Sequence, residues 1–217
     1  MKTLAGALVV AIIATPLAAQ QDVSARLAGR VSPEVAALVQ ELATSAASRG
    51  LPIDPLVQKA IEGSAKGVPA DRVATALRAL AGQLDDAAVA LQQAGPARPD
   101  TDAIAAGAFA LNAGLSSRNV TALAVASRAP YSVAASLRVA STLSAMGVPA
   151  DEAVDLVSQV IKAGGPTTEV LGLPTQVMAG VSSGRGVTPA QAAAGLARAA
   201  AARANAPGQQ RPRPPHP

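Results

Sequence analysis

Residues Gly50 to Leu80 read GLPIDPLVQKAIEGSAKGVPADRVATALRAL and contain two signals for the start of a helix. In the first, Asp54 is the expected N-cap and Pro55 the first helical residue, where the missing N–H of proline needs no partner. Apolar side chains then recur at the spacing of one helix face, at Leu56, Val57, Ala60 and Ile61. Gly67 predicts the end of this helix, because glycine readily adopts the left-handed backbone of a C-terminal stop.

The second signal is Gly67-Val68-Pro69-Ala70-Asp71, and it predicts the longest helix of the chain. Apolar residues follow at intervals of three and four positions, which is the spacing of a face buried in a core. They are Val73, Leu77, Leu80, Leu84, Ala88 and Leu91.

The five residues that begin at Gly67 return at Gly147, 80 residues further on. A looser version stands at Gly186-Val187-Thr188-Pro189, where Thr188 and Gln191 form a capping box. This repetition predicts an all-α fold, either an irregular helical bundle or a short array of helix-turn-helix repeats. Shared helix-end chemistry, without repeat ancestry, is the alternative explanation of the likeness.

The same helix punctuation extends over the rest of the chain. Ser32-Pro33-Glu34 predicts a helix that stops at Gly50. Helix caps are expected at Thr101 or Asp102 and at Ser116 or Ser117, and Pro130 is expected to open a further helix.

Composition divides the chain into five segments. We expect a signal peptide over 1–19 and an N-terminal helical segment over 20–95, whose residues 20–30 form a short polar lead-in. A linker or hinge is expected at 96–100, because Pro96 and Pro99 lie there. A C-terminal helical segment over 101–204 and a disordered proline-rich tail over 205–217 follow.

Residues 50–84 resemble a segment of uncharacterised exported bacterial proteins of helical-repeat type. The resemblance covers about a sixth of the chain and implies a helical fold in a bacterial envelope setting, with no activity to transfer. The positions that carry it are Gly50, Leu51, Pro52, Pro55, Leu56, Lys59, Glu62, Gly63, Lys66, Gly67, Pro69 and Arg72.

The first residues follow the order of a secretory signal. Lys2 precedes an apolar stretch from Leu4 to Ile13, a break at Thr15-Pro16 and the small residues before Gln20. The apolar stretch is shorter than the roughly 20 residues that span a bilayer, so we expect no transmembrane anchor after cleavage. Cleavage is expected after Ala19, which places the protein in the periplasm or outside the cell.

The net charge of +4 comes from 18 basic and 14 acidic residues, but it lies mostly at the ends. Without Lys2, Arg211 and Arg213, 15 basic residues face the same 14 acids. One Tyr, one Phe and no Trp leave no platform for stacking bases, so we expect no nucleic-acid partner. With no cysteine in an exported chain, packing alone has to stabilise the fold.

Gly180 to Gly184 fits the G-x-S-x-G pattern of hydrolases, with Ser182 as the nucleophile. Such a site needs a preceding strand and a histidine that takes the serine proton. Thr175 to Ala179 read as helix, and the single histidine, His216, lies in the tail. We therefore predict no catalytic site, no cofactor site and no enzymatic activity.

No metal site is predicted either, because one histidine and no cysteine cannot form a conventional zinc site. Asp100 and Asp102 begin like a calcium loop, but Ile104 stands at the next ligand position, so both are interpreted as acids at a helix start. A cluster within one helical turn is also interpreted as first-turn acids: Asp151, Glu152 and Asp155.

Lys59, Glu62 and Lys66 occupy one helix face at spacings of three and four. Opposite charges at this spacing stabilise a helix by a few tenths of a kcal/mol, which is the favoured interpretation. A partner-binding edge is the functional alternative.

Together these features predict an exported, non-enzymatic helical protein that acts by protein contact or scaffolding in the bacterial cell envelope, with an unidentified protein as partner. The alternative is a lipid or amphiphile carrier whose alanine and leucine faces part to admit an acyl chain. A hydrolase that uses Ser182 ranks third.

Cleavage after Ala19 predicts that the mature chain begins at Gln20. N-terminal sequencing and intact-mass measurement of protein recovered from an expressing bacterium should find this residue first. An Ala19→Arg variant, which places a large charge at the cleavage position, should keep its leader. Wild-type protein that still begins at Met1 would contradict the predicted processing.

Overall fold

A computed structural model describes residues 16–95, 98–184 and 186–206. Within these ranges the chain forms ten α-helices and no strand, which confirms the predicted all-α fold. The helices are α1 (Pro16–Leu27), α2 (Pro33–Ser48), α3 (Asp54–Ala65), α4 (Ala70–Gln93), α5 (Thr101–Asn112), α6 (Ser117–Ala126), α7 (Val133–Ala145), α8 (Ala150–Lys162), α9 (Thr167–Ser183) and α10 (Pro189–Ala204).

Most helices pack against both the next helix and the next but one. Pairs two apart are α1 with α3, α2 with α4, α4 with α6, α5 with α7, α6 with α8, α7 with α9, and α8 with α10. This is the packing order of a short two-layered array of helix hairpins. The order is broken at one place, because α3 and α5 make no comparable contact.

Polar links at a regular spacing reinforce the array. Arg26 of α1 binds Asp54 of α3 at 2.6 Å, and the two residues are 28 positions apart. Asn119 of α6 donates to Asp151 of α8 at 2.8 Å, 32 positions on. The Tyr131 hydroxyl, before α7, donates to the Gly165 carbonyl, before α9, at 2.6 Å and 34 positions on. Each link joins a helix, or the loop before it, to its next-but-one equivalent.

The core is one continuous cluster of small aliphatic side chains that draws on all ten helices. Its leucines include Leu77 and Leu84 of α4, both fully buried. Small residues let the helices approach closely: a Cβ added at Gly107 of α5 would lie 2.9 Å from the Cβ of Ala87 in α4. The α4–α5 contact therefore depends on a glycine facing an alanine.

Several predicted helix ends are confirmed. The Ser32 hydroxyl accepts a hydrogen bond from the Val35 N–H at the start of α2. Ser116 caps α6 in a capping box with Asn119, and Thr188 caps α10 in a capping box with Gln191. α4 is the longest described helix, as the sequence predicts.

Three predicted helix starts are wrong by one to three residues. Asp54 is the first residue of α3 rather than its cap, because its carboxylate binds Arg26 instead of the local backbone. Neither Thr101 nor Asp102 caps α5; the Asp100 carboxylate does, by accepting from the Asp102 N–H at 3.4 Å.

The third wrong start is Pro130, which does not open α7. It follows a cis peptide bond after Ala129 and lies in the connecting loop. Ser132 caps the helix through the Ala135 N–H, so α7 begins at Val133. Ser132 was a stronger signal for the helix start than Pro130, because its hydroxyl accepts a hydrogen bond from a backbone N–H of the first turn and proline has no such acceptor in its side chain.

The polar lead-in predicted for residues 20–30 is also wrong. Residues up to Leu27 are helical in α1, and both Val23 and Leu27 are buried at 2% exposure. Their spacing of four places them on one helix face, against α2 and α3. Two apolar residues among polar ones were too weak a pattern to predict a helix.

Some predicted segments lie outside the described residues: most of the signal peptide (1–15), Pro96 and Ala97 of the linker, and the tail from 207 onward with Arg211, Arg213 and His216. In the part of the chain that is described, no helix has the length and apolar character needed to cross a bilayer.

Replacement of Leu77 by Asp should lower the free energy of unfolding by about 4 kcal/mol, because the fully buried site offers the carboxylate no partner. The melting temperature, followed by circular dichroism, should then fall by roughly 10 °C. Ala79→Asp introduces the same residue at an exposed position of α4 and is the control. Equal melting temperatures for the two variants would contradict the assigned core face.

Arg138 of α7 forms an ion pair with Asp102 of α5. The hydrogen bond from Arg138 is the main cause that lowers the pKa of Asp102; partial burial opposes it and the charge of Arg138 aids it. The same bond, opposed by partial burial and aided by the charge of Asp102, raises the pKa of Arg138. The depressed carboxyl pKa means that the pair stabilises the fold above the ordinary Asp pKa of about 3.9, and that this contribution is lost as pH falls through the folded value.

Asp102→Asn should therefore cost about 0.5 kcal/mol near neutral pH, since the pair is half exposed. In urea unfolding series the difference in unfolding free energy from wild type should shrink as pH falls below the ordinary Asp pKa of about 3.9. Asp86→Asn, at an exposed acid of α4 that makes no ion pair within the described residues, is the control. If the difference in unfolding free energy between wild type and Asp102→Asn does not change with pH, the Asp102–Arg138 ion pair is not the cause of that difference.

Candidate functional site

The two copies of Gly-Val-Pro-Ala-Asp adopt the same backbone. Gly67 and Gly147 have positive φ of 67° and 94°, in the left-handed region that suits glycine. Pro69 and Pro149 have φ, ψ of −52°, 141° and −53°, 140°. Each copy therefore ends one helix and starts the next by the same turn.

The two copies differ in what surrounds the valine. Val148 is 2% exposed, whereas Val68 is 37% exposed. The hairpin of α7 and α8 has α9 packed against both of its helices, but α5 packs on α4 without a comparable contact to α3. One flank of the α3–α4 hairpin is therefore open to solvent at the position where the array is broken.

The residues on the two hairpins follow this difference. In the register of the repeated motif, Lys59 and Gly63 of α3 correspond to Val139 and Leu143 of α7. Both residues of α7 are buried apolar side chains, whereas Lys59 is exposed and Gly63 has no side chain. At these two positions the α3–α4 hairpin therefore lacks the apolar side chains that the α7–α8 hairpin buries.

A groove of about 270 Å³ lies on this open flank, and we call it the α3–α4 groove. Its floor is apolar, and basic side chains stand on both walls. The lining residues are Lys59, Glu62 and Gly63 of α3, Lys66 and Val68 of the turn that follows, and Arg72, Val73 and Ala76 of α4. Lys59, Glu62 and Lys66, predicted as a charged helix face, are thus brought together with Val68 and Arg72.

Close packing of α3 on α4 forms the floor. A Cβ added at Gly63 would lie 2.9 Å from Cγ2 of Val73, so any side chain there would displace one of the two helices. Val73 is buried, and Val68 closes the end of the floor beside it.

The charges of the groove are only partly paired. Lys66 donates a hydrogen bond to the Glu62 carboxylate. This bond, then the charge of Lys66 and then that of Lys59, lowers the pKa of Glu62, so the acid stays ionised. Lys59 and Arg72 make no direct ion pair within the described residues, which leaves the groove with two cationic groups available to a partner.

The acids at the start of α8 lie beside a second groove, between α8 and α10. It holds about 450 Å³ and is lined by Asp151, Glu152, Asp155 and Gln159 of α8 and by Ala194, Ala197, Arg198 and Ala201 of α10. Asp151 accepts from Asn119 at 2.8 Å and Asp155 from Gln159 at 3.3 Å. Among the described residues no three His, Cys, Asp or Glu side chains are close enough to hold a metal ion.

Ser182 lies in the last turn of α9, not on a strand-to-helix elbow. Its hydroxyl donates to the Met178 carbonyl at 2.9 Å, a common bond of serine within a helix. The prediction that Thr175 to Ala179 are helical is confirmed. The local geometry that a hydrolase nucleophile requires is therefore missing at Ser182.

Sequence reasoning did not find two of the groove residues, Val68 and Arg72, as parts of a binding edge. The signal for Val68 was the repeated motif itself, because two identical turns need not have identical neighbours. Arg72 has Glu152 at the corresponding place in the second motif, a reversal of charge that the sequence already contains.

No known protein family model matches the chain, and no similar curated protein or solved structure was found. The function therefore has to be inferred from the geometry of the chain itself.

Proposed function

We propose that this protein is an exported, non-enzymatic interaction module that docks a protein partner in the α3–α4 groove. The observation that carries the proposal is the open flank of the α3–α4 hairpin. The α7–α8 hairpin, which contains the same motif, has α9 packed against both of its helices. A groove between two helices, with an apolar floor, can receive side chains from an amphipathic helix of another chain.

The chemistry of the groove supports a protein ligand. Val68 and Val73 provide an apolar floor, and Lys59 and Arg72 provide one cation on each wall. Apolar contact at the centre with charges at the rim is the usual arrangement of a protein–protein interface. The charges favour an acidic partner, since opposite potentials speed encounter and exclude wrong partners.

The signal-like leader and the resemblance of residues 50–84 to exported bacterial helical-repeat proteins support the cell envelope as the place of action. A scaffolding role in the periplasm or outside the cell fits a fold that has no cysteine and relies on packing.

A photo-reactive amino acid at Val68 tests the proposal in cells. Illumination should attach a protein partner at this position, and Lys59→Glu with Arg72→Glu should reduce the yield about tenfold by replacing attraction with repulsion. The same amino acid at Val125 of α6, which is 45% exposed and outside the groove, is the matched control.

The outcomes separate the candidate functions. A protein adduct specific to position 68 supports docking in the groove. Equal adducts from positions 68 and 125, or none from either, would contradict it. Lipid adducts alone at position 68 would favour the carrier alternative.

A further inference from the structure

We propose that the occupant of the α3–α4 groove is a second copy of this chain, which inserts the acidic N-terminal turn of its α8. This inference rests on the proposed docking function and names the partner. It depends on two surfaces of one molecule whose formal charges are opposite.

The acidic surface is a ridge, formed by the first exposed turns of α8. Glu152 and Asp155 are both exposed, three positions apart on the same helix face. Neither carboxylate forms an ion pair within the described residues. Alanines of α10 lie beside the ridge and provide an apolar surface next to the charges.

The receiving surface has a comparable length. Lys59 of α3 and Lys66, the residue that follows α3, are seven positions apart, about 10 Å at the helix rise of 1.5 Å per residue. The acidic ridge and Gln159 extend over a comparable length of α8. Arg72 lies on the opposite wall, so a helix placed in the groove would have a cation on each side.

The formal charges are equal and opposite. Lys59, Lys66 and Arg72 with Glu62 give the α3–α4 groove a charge of +2. Asp151, Glu152 and Asp155 with Arg198 give the groove between α8 and α10 a charge of −2. The two surfaces belong to different hairpins, so they pair between molecules in a head-to-tail manner and can extend into chains.

Sedimentation velocity of the purified protein over a concentration series tests the inference. The average mass should rise with concentration in about 0.02 M salt and return to the monomer in about 0.5 M salt, because screening weakens charge pairing. Protein that stays monomeric at low salt over the whole series would overturn the inference.

Two reversed variants identify the surfaces. Lys59→Glu with Arg72→Glu, and Glu152→Lys with Asp155→Lys, should each weaken self-association at least about tenfold when studied alone. An equimolar mixture of the two should associate again, because each reversed surface then meets its reversed complement. Arg78→Glu with Arg118→Glu changes the net charge as much as Lys59→Glu with Arg72→Glu does, but at exposed sites outside both grooves, and this control should associate like wild type.

The four positions replaced in the two reversed variants are exposed, so the variants should melt like wild type in circular dichroism, which separates lost pairing from lost folding. Reversed variants that associate like wild type, or a mixture that stays monomeric, would overturn the inference. A crosslink from position 68 to a different protein would overturn self-association while leaving the docking function intact. Protein that stays monomeric and gives no crosslink from position 68 would contradict both self-association and docking in the groove.

Discussion

The length of α4 is the constraint on which the rest of the structure depends. α3 contacts its N-terminal part, where Gly63 lies against Val73, and α5 contacts its C-terminal part, where Gly107 lies against Ala87. With 24 residues, α4 is long enough to hold these two helices at separate places. α3 and α5 therefore make no contact comparable to that of the other next-but-one pairs, and the regular stacking is broken at this place alone among the described helices.

Small side chains make this arrangement stable without disulfides or large aromatic residues. Alanines such as Ala87 and Ala108 are fully buried, and they let helix backbones approach more closely than larger residues would. Such close packing tolerates few substitutions by larger residues, because an added methyl group at Gly107 would force α4 and α5 apart. The single Phe, Phe109, is half exposed and does not contribute a large core side chain.

The break in the array also explains why two identical sequence motifs have different roles. At Val148 the turn is buried beneath its neighbours, and the motif serves only to join two helices. At Val68 the same turn closes one end of an open groove with basic walls. The same motif thus lies beside a groove with basic walls where the array leaves it uncovered, and acidic side chains lie near the second copy.

Much of the fold could be predicted from the sequence alone. Hydroxyl caps, positive-φ glycines and apolar spacing are local signals, and they located α2, α4, α6 and α10 and most of the core face of α4. α1 was missed because two apolar residues do not form a pattern, and the start of α3 was misplaced because Asp54 binds a residue 28 positions away. The sequence predicted the charged face of Lys59, Glu62 and Lys66, but not that Arg72 of α4 lies on the opposite wall of the same groove.

What only the tertiary structure decided is which helix flanks are covered. Helix formation depends on interactions within a few residues, so it can be inferred from neighbouring letters of the sequence. Burial of Val148 and exposure of Val68 depend on whether a distant helix packs there, and identical local sequences contain no information on that. The α3–α4 groove is therefore a property of the order in which helices pack, since long-range contacts alone determine where a surface stays open to a partner.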